Sequence, residues 1–109
     1  MPSSPRCIPS LPPMSEAQWT RQVIDLAKAR RWWMYHPHDS RRSEAGWPDW
    51  TFIRPPRIVF AELKTDRKSS KLTAEQEFVI GLLTECVRQN LEVYVWRPKD
   101  FDDVREVLW

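Results

Sequence analysis

From Ser15 onward the hydrophobic and polar positions fall into alternating helical and extended segments. Trp19, Val23, Leu26 and Ala27 recur at helical spacing behind Ser15 and Gln18, the two ends of a capping box, which predicts a first helix running to about Arg31. Trp32 to His36 is short, aromatic and stopped by Pro37, the mark of a strand, and the polar stretch from Pro37 to Gly46 reads as a loop carrying Arg41 and Arg42. Trp50 to Ile53 and Ile58 to Lys64 read as strands joined by a tight Pro55-Pro56 connection, hence a hairpin. After a charged loop, Asp66 to Lys71, a second capping box of Thr73 and Gln76 opens a helix through about Gln89. Ile80, Leu83 and Val87 share one face of it, and Asn90 is expected to end it in a left-handed conformation. Glu92 to Trp96 reads as a further strand, and Asp100 is expected to cap a last helix carrying Phe101, Val104 and Leu108. The order αβββαβα predicts a mixed α/β domain without internal repeats.

The residues before this pattern contain five prolines in thirteen positions and almost no periodicity, so 1–13 is expected to be a disordered extension and 14–109 the folded unit. A chain of 109 residues with 41% hydrophobic content and seven tryptophans has material for one modest core. No stretch approaches the ~18 consecutive apolar residues of a membrane span, and the opening residues lack the apolar run of a secretion signal. Cys7 and Cys86 lie far apart with no CxxC pair, which indicates neither a disulfide framework nor a zinc knuckle. The expected setting is a reducing cytoplasm, with no membrane partner. The net charge of +2 conceals an asymmetry: residues 30–71 hold ten Arg or Lys against five Asp or Glu (+5), whereas 72–109 hold four against eight (−4). The basic block is either a solvated surface or a surface for a polyanion backbone.

Candidate chemistry begins in Phe60-Ala61-Glu62-Leu63-Lys64, where strand alternation sends Phe60, Glu62 and Lys64 to one face. Glu62 can supply a hard oxygen ligand to Mg²⁺, and Lys64 can contact a scissile phosphate, orient water and neutralise developing charge. The plainer alternative is an ion pair on a solvated strand. What shifts the balance is Gly46-Trp47-Pro48-Asp49, thirteen residues before Glu62, at the entrance of the neighbouring strand of the same hairpin. On its own Gly-x-Pro-Asp is a turn; with Glu62 opposite, it brings a second carboxylate to one place. Mg²⁺ takes one or two protein carboxylates and completes its shell with water and phosphate, and Asp49 plus Glu62 supply that number.

Gly46-Trp47-Pro48-Asp49, then Glu62-Leu63-Lys64, then Gln76 early in the next helix together resemble the VRR-NUC family of PD-(D/E)XK nucleases over about residues 15 to 97. The resemblance implies a restriction-endonuclease-like core with a mixed sheet flanked by helices. It also implies DNA phosphodiester hydrolysis with Mg²⁺ or Mn²⁺, no small-molecule cofactor, and small stand-alone members of phages and bacteria that act on branched or four-way-junction DNA as homodimers. Carried onto this chain, it makes Asp49 and Glu62 metal ligands together with the backbone carbonyl of Leu63, and Lys64 the catalytic lysine. Glu16 and Gln76 match the family's additional acidic and glutamine positions. Each has a second reading: Glu16 sits where a helix dipole favours a carboxylate, and Gln76 is the third residue of a capping box. The chain departs from the family at Val79, where relatives carry Trp, and at Arg31 and Asn90, where they carry helix-ending glycines.

Around this centre, Arg41, Arg42, Arg67, Lys68 and Lys71 are candidate phosphate contacts or solvated surface. His36 and His38 are general-base candidates, but a His-x-His pair without a third ligand is a poor metal site. Trp47 and Trp50 can stack on bases or pack in the core. The leading expectation is a Mg²⁺-dependent DNA endonuclease, with a catalytically silent DNA-binding or assembly module on the same fold as the rival.

Overall fold

A computed structural model describes residues 14–37 and 44–109. The expected N-terminal extension, together with Cys7, His38, Arg41 and Arg42, lies outside the described residues. The chain runs α1 (Glu16–Ala29), β1 (Trp33–Tyr35), β2 (Trp50–Arg54), β3 (Arg57–Leu63), α2 (Ala74–Glu85), β4 (Leu91–Trp96) and α3 (Phe101–Leu108), the last entered through a single 3₁₀ turn at Pro98–Asp100.

Both helix starts form where the capping signals lie. Ser15 Oγ accepts the Gln18 N–H at 3.1 Å while Gln18 Oε1 accepts the Ser15 N–H at 2.9 Å, and Thr73 and Gln76 repeat the arrangement. The ends differ from the sequence reading. Helix α1 stops at Ala29, because Arg31 turns to φ +65° and the N–H groups of Arg31 and Trp32 reach back to the carbonyls of Lys28 and Ala27, a Schellman closure with arginine in the place that usually takes glycine. Helix α2 stops at Glu85 and is capped at Cys86. Arg88 and Leu91 exchange backbone hydrogen bonds in the tight return to β4, so Val87 is exposed instead of continuing the helical face and Asn90 is no helix cap. Asp100 accepts the Arg97 N–H and so closes the 3₁₀ turn; its side chain does not cap α3.

The sheet order is β1-β2-β3-β4, antiparallel across the first two pairs and parallel between β3 and β4. Pro55 and Pro56 fill the two-residue turn between Arg54 and Arg57, and α2 makes the crossover that a parallel β3–β4 pair requires. Register assigns the faces. Phe52 and Val59 are cross-strand partners and point, with Ala61, Leu63 and Trp96, toward Trp19, Val23 and Ala27 of α1 and Val104 and Leu108 of α3. Complete burial of side chains such as Trp19, Phe52 and Leu108 is worth roughly 1.5–3 kcal/mol each, so this layer carries the fold. The buried indoles are satisfied: Trp19 Nε1 donates to the Trp96 carbonyl at 3.1 Å and Trp32 Nε1 to that of Leu108 at 2.8 Å. The opposite face carries Thr51, Phe60 and Glu62; α2 packs over its β4 side and reaches Glu62 through Gln76, and it buries no residue completely: Val79, Ile80 and Leu83 are half-buried, while Phe78 and Leu82 face outward. Among the described residues no helix is long and apolar enough to cross a membrane.

Candidate active site

The open end of the β2–β3 hairpin brings the two sequence-nominated carboxylates together. Trp50 pairs with Ala61, so one step further out Asp49 lies opposite Glu62. The contact is reciprocal: the Asp49 N–H donates to Glu62 Oε1 at 3.2 Å, and the Leu63 N–H donates to Asp49 Oδ2 at 3.1 Å. The Leu63 backbone therefore reaches the pair through its N–H. Lys64 Nζ lies 3.5 Å from Glu62 Oε2, with its side chain largely buried. The ion pair that the plainer reading expects is present, but Glu62 is only 1% exposed and so does not lie on a solvated strand.

Gln76 joins the same cluster. Its Oε1 accepts the Thr73 N–H while its Nε2 donates to Glu62 Oε2 at 2.9 Å, so one amide caps α2 and holds the carboxylate. The two readings of Gln76 are thus compatible, because the first turn of α2 stands over the β3 carboxylate. That placement depends on Gly46, which the sequence offered only as a turn former. Gly46 adopts φ +93°, and a Cβ there would lie 2.3 Å from the Glu75 carbonyl oxygen. Only glycine lets the loop before Asp49 press this closely on α2.

Burial is the main force on Glu62 and pushes its pKa from the ordinary 4.5 up to about 7; the Asp49 charge adds to the rise, and the Lys64 ammonium opposes it. A cation between the two carboxylates would relieve both stresses. Among the described residues no third His, Cys, Asp or Glu forms a metal-holding group with them. Two hard oxygen donors suit Mg²⁺ or Mn²⁺, and this donor set fits the expected ion.

Asp49 lines a depression of about 140 Å³ together with Gln76, Gly46, Trp47 and His36 among others, while Glu62 lies buried behind it. His36 is exposed, stacks on Trp50 at 4.6 Å between ring centroids, and sets Nδ1 3.3 Å from the Asp49 carbonyl oxygen. Trp47 is 41% exposed and packs edge-on against Phe60, whereas Trp50 is half-buried against the core. A larger depression at α3, among Asp102, Arg105, Glu106 and Trp109, is an open surface with no converging carboxylates of this kind.

Glu16 is not brought into the cluster. It is exposed in the first turn of α1, and no hydrogen bond or ion pair links it to Asp49 or Glu62; the helix-dipole reading describes its position. Arg67, Lys68 and Lys71 lie in the loop that follows Lys64 and line a shallow groove that also contains Arg97 and Lys99, two cations the sequence reading did not single out. Arg97 organises that loop by donating to the carbonyls of Thr65 and Ser70, while Ser70 Oγ accepts the Thr65 N–H at 2.8 Å. Spacing could not reveal Arg97, because it comes from the far end of β4. No family model, curated protein or solved structure matches the chain.

Proposed function

We propose that the protein is a metal-dependent DNA endonuclease of the kind its VRR-NUC-like motifs imply. The observation that carries this reading is the convergence of Asp49 with a buried Glu62 beside Lys64 at the open end of one hairpin. Holding a half-buried Asp49 against a buried Glu62 is costly even with the Lys64 ammonium beside them, and a site that tolerates it is a candidate for function. Asp49 and Glu62 would hold Mg²⁺ or Mn²⁺. When bound, the ion supplies Lewis-acid polarisation of the phosphate and activation of water. Lys64 places an ammonium where negative charge grows on the phosphate, and Gln76 fixes the Glu62 carboxylate so that the pair keeps its geometry. The groove of Lys68, Lys71 and Lys99 offers backbone contacts without sequence readout.

A silent DNA-binding module is favoured by one feature: Lys64 and Gln76 already satisfy Glu62 Oε2, so the network is self-consistent without an ion. Cleavage separates the two. Labelled linear, flapped and four-way-junction DNA is incubated with the purified chain and Mg²⁺ or Mn²⁺, and binding is measured in Ca²⁺. Asp49→Asn and Glu62→Gln should abolish cutting while sparing DNA binding. Lys64→Met should keep metal affinity and lose on the order of 10²-fold or more in single-turnover rate. Normal cutting by Asp49→Asn and Glu62→Gln would remove the proposed site.

A further inference from the structure

The face of the sheet that holds Glu62 extends, toward β1, into exposed aromatic side chains. Trp33 pairs with Ile53 and Tyr35 with Thr51, while Thr51 in turn pairs with Phe60; Trp33, Tyr35, Thr51, Phe60 and Glu62 therefore share one face. Trp33 is 61% and Tyr35 51% exposed, although Met34 between them packs against the core. Among the described residues β1 is an edge strand, with no further strand paired on its outer side. Two large aromatics held at i and i+2 on one strand stand about 6–7 Å apart and form an exposed platform.

The platform is continuous with the candidate active site. Tyr35 lies opposite Thr51, and Asp49 is two residues before Thr51, so the diagonal from Tyr35 to Asp49 is about 7–8 Å. His36, the next residue, lines the depression that contains Asp49 and Gln76, as does Trp47. A strand with a phosphate at Asp49 would have Tyr35 within reach of an adjoining nucleotide, with Trp33 one step further along β1. The block from residue 30 to 71, which contains both aromatics, carries the net charge of +5 that a phosphate backbone complements. Exposed aromatic faces bind unpaired bases, because every exposed base offers a π-face, whereas the bases of an intact duplex are stacked on each other.

We infer that Trp33 and Tyr35 form a stacking platform for unpaired nucleobases next to the scissile phosphate, so that the substrate class is DNA with a single-stranded or splayed segment. The inference rests on the nuclease reading for the position of the phosphate.

The test measures the affinity of the full chain in Ca²⁺ for a fluorescein-labelled single-stranded deoxyoligonucleotide, the same strand in a blunt duplex, and an abasic version of it. The double variant Trp33→Ala, Tyr35→Ala should weaken single-strand binding on the order of 10- to 100-fold and leave duplex binding nearly unchanged. The abasic strand should bind the wild-type chain as weakly as the intact strand binds the variant, and Trp33→Phe, Tyr35→Phe should retain most of the affinity. Both rings are more than half exposed, so the melting temperature of the variant should match that of the parent. Unchanged single-strand affinity, or an equal loss for duplex and single strand, overturns the platform. So does a variant that binds DNA normally but changes oligomeric state in light scattering, since the face would then serve a second copy of the chain. Selective single-strand binding without cleavage in Mg²⁺ would sustain the platform and sink the nuclease reading alone, whereas no binding to any of the three DNAs sinks both.

Discussion

Replacing Glu62 by glutamine keeps the shape of the side chain and removes its charge, and the structure predicts what this does to stability in the absence of metal. Burial first, and the Asp49 charge second, raise the Glu62 pKa from 4.5 to about 7. Below about pH 4.5 the carboxyl is protonated in both the folded and unfolded chains and carries no penalty. Between the two values the folded protein keeps a proton that the unfolded chain has released, so stability falls as pH rises, and above about 7 the loss is complete. At 1.36 kcal/mol for each tenfold change, that interval amounts to on the order of 3 kcal/mol. Glu62→Gln should erase this slope. Its absolute gain at high pH will be smaller, because the new amide can no longer accept hydrogen bonds at both positions and one lost partner costs about 1–3 kcal/mol. The pH dependence of the difference between the two proteins is therefore the sharper readout. Urea denaturation in EDTA from about pH 5 to 8 provides it. Glu92, whose pKa is lowered by its hydrogen bond with Arg57, gives a slope of the opposite sign only below about pH 4.5, outside this range, and it is present in both proteins. Parallel profiles for parent and variant would refute the burial argument for Glu62. Adding Mg²⁺ at about pH 8 should stabilise the parent, by about 2.7 kcal/mol at a hundredfold excess over Kd, and not the variant.

Gly46→Ala should destabilise the protein by about 3 kcal/mol in urea denaturation, the sum of a left-handed alanine and a clash with the Glu75 carbonyl oxygen, and should slow cleavage by moving α2 and Gln76 off Glu62. Arg31→Gly should do the reverse and stabilise by about 1 kcal/mol, since φ +65° strains arginine and not glycine; an unchanged or lower melting temperature would show that Arg31 compensates through other contacts.

The sequence by itself determined what depends on neighbours along the chain. Ser15 with Gln18, and Thr73 with Gln76, announce helix starts because a cap is a contact between residues three apart, and Pro55-Pro56 announces a turn because proline restricts its own backbone. The Asp49–Glu62 pair was legible for the same reason: a hairpin makes residues thirteen apart cross-strand neighbours, so motif spacing already contains the geometry. Contacts between distant segments were decided only by the tertiary structure. Gln76 reads as a cap until α2 is laid across β3, where the same amide also grips Glu62. Glu16 stands three residues before Trp19 and seven before Val23, a spacing that shares a helix face, yet it remains exposed where they are buried, because that face packs on the layer formed with α3 and not on the carboxylates. Arg97 arrives at the basic groove from another strand, and Trp33 and Tyr35, which hydrophobicity alone would send inward, stand exposed because strand alternation gave the core face to Met34. Local signals constrain backbone conformation through nearby hydrogen bonds and dihedral limits, whereas burial depends on which surfaces meet, and that is settled only when the sheet and its helices assemble.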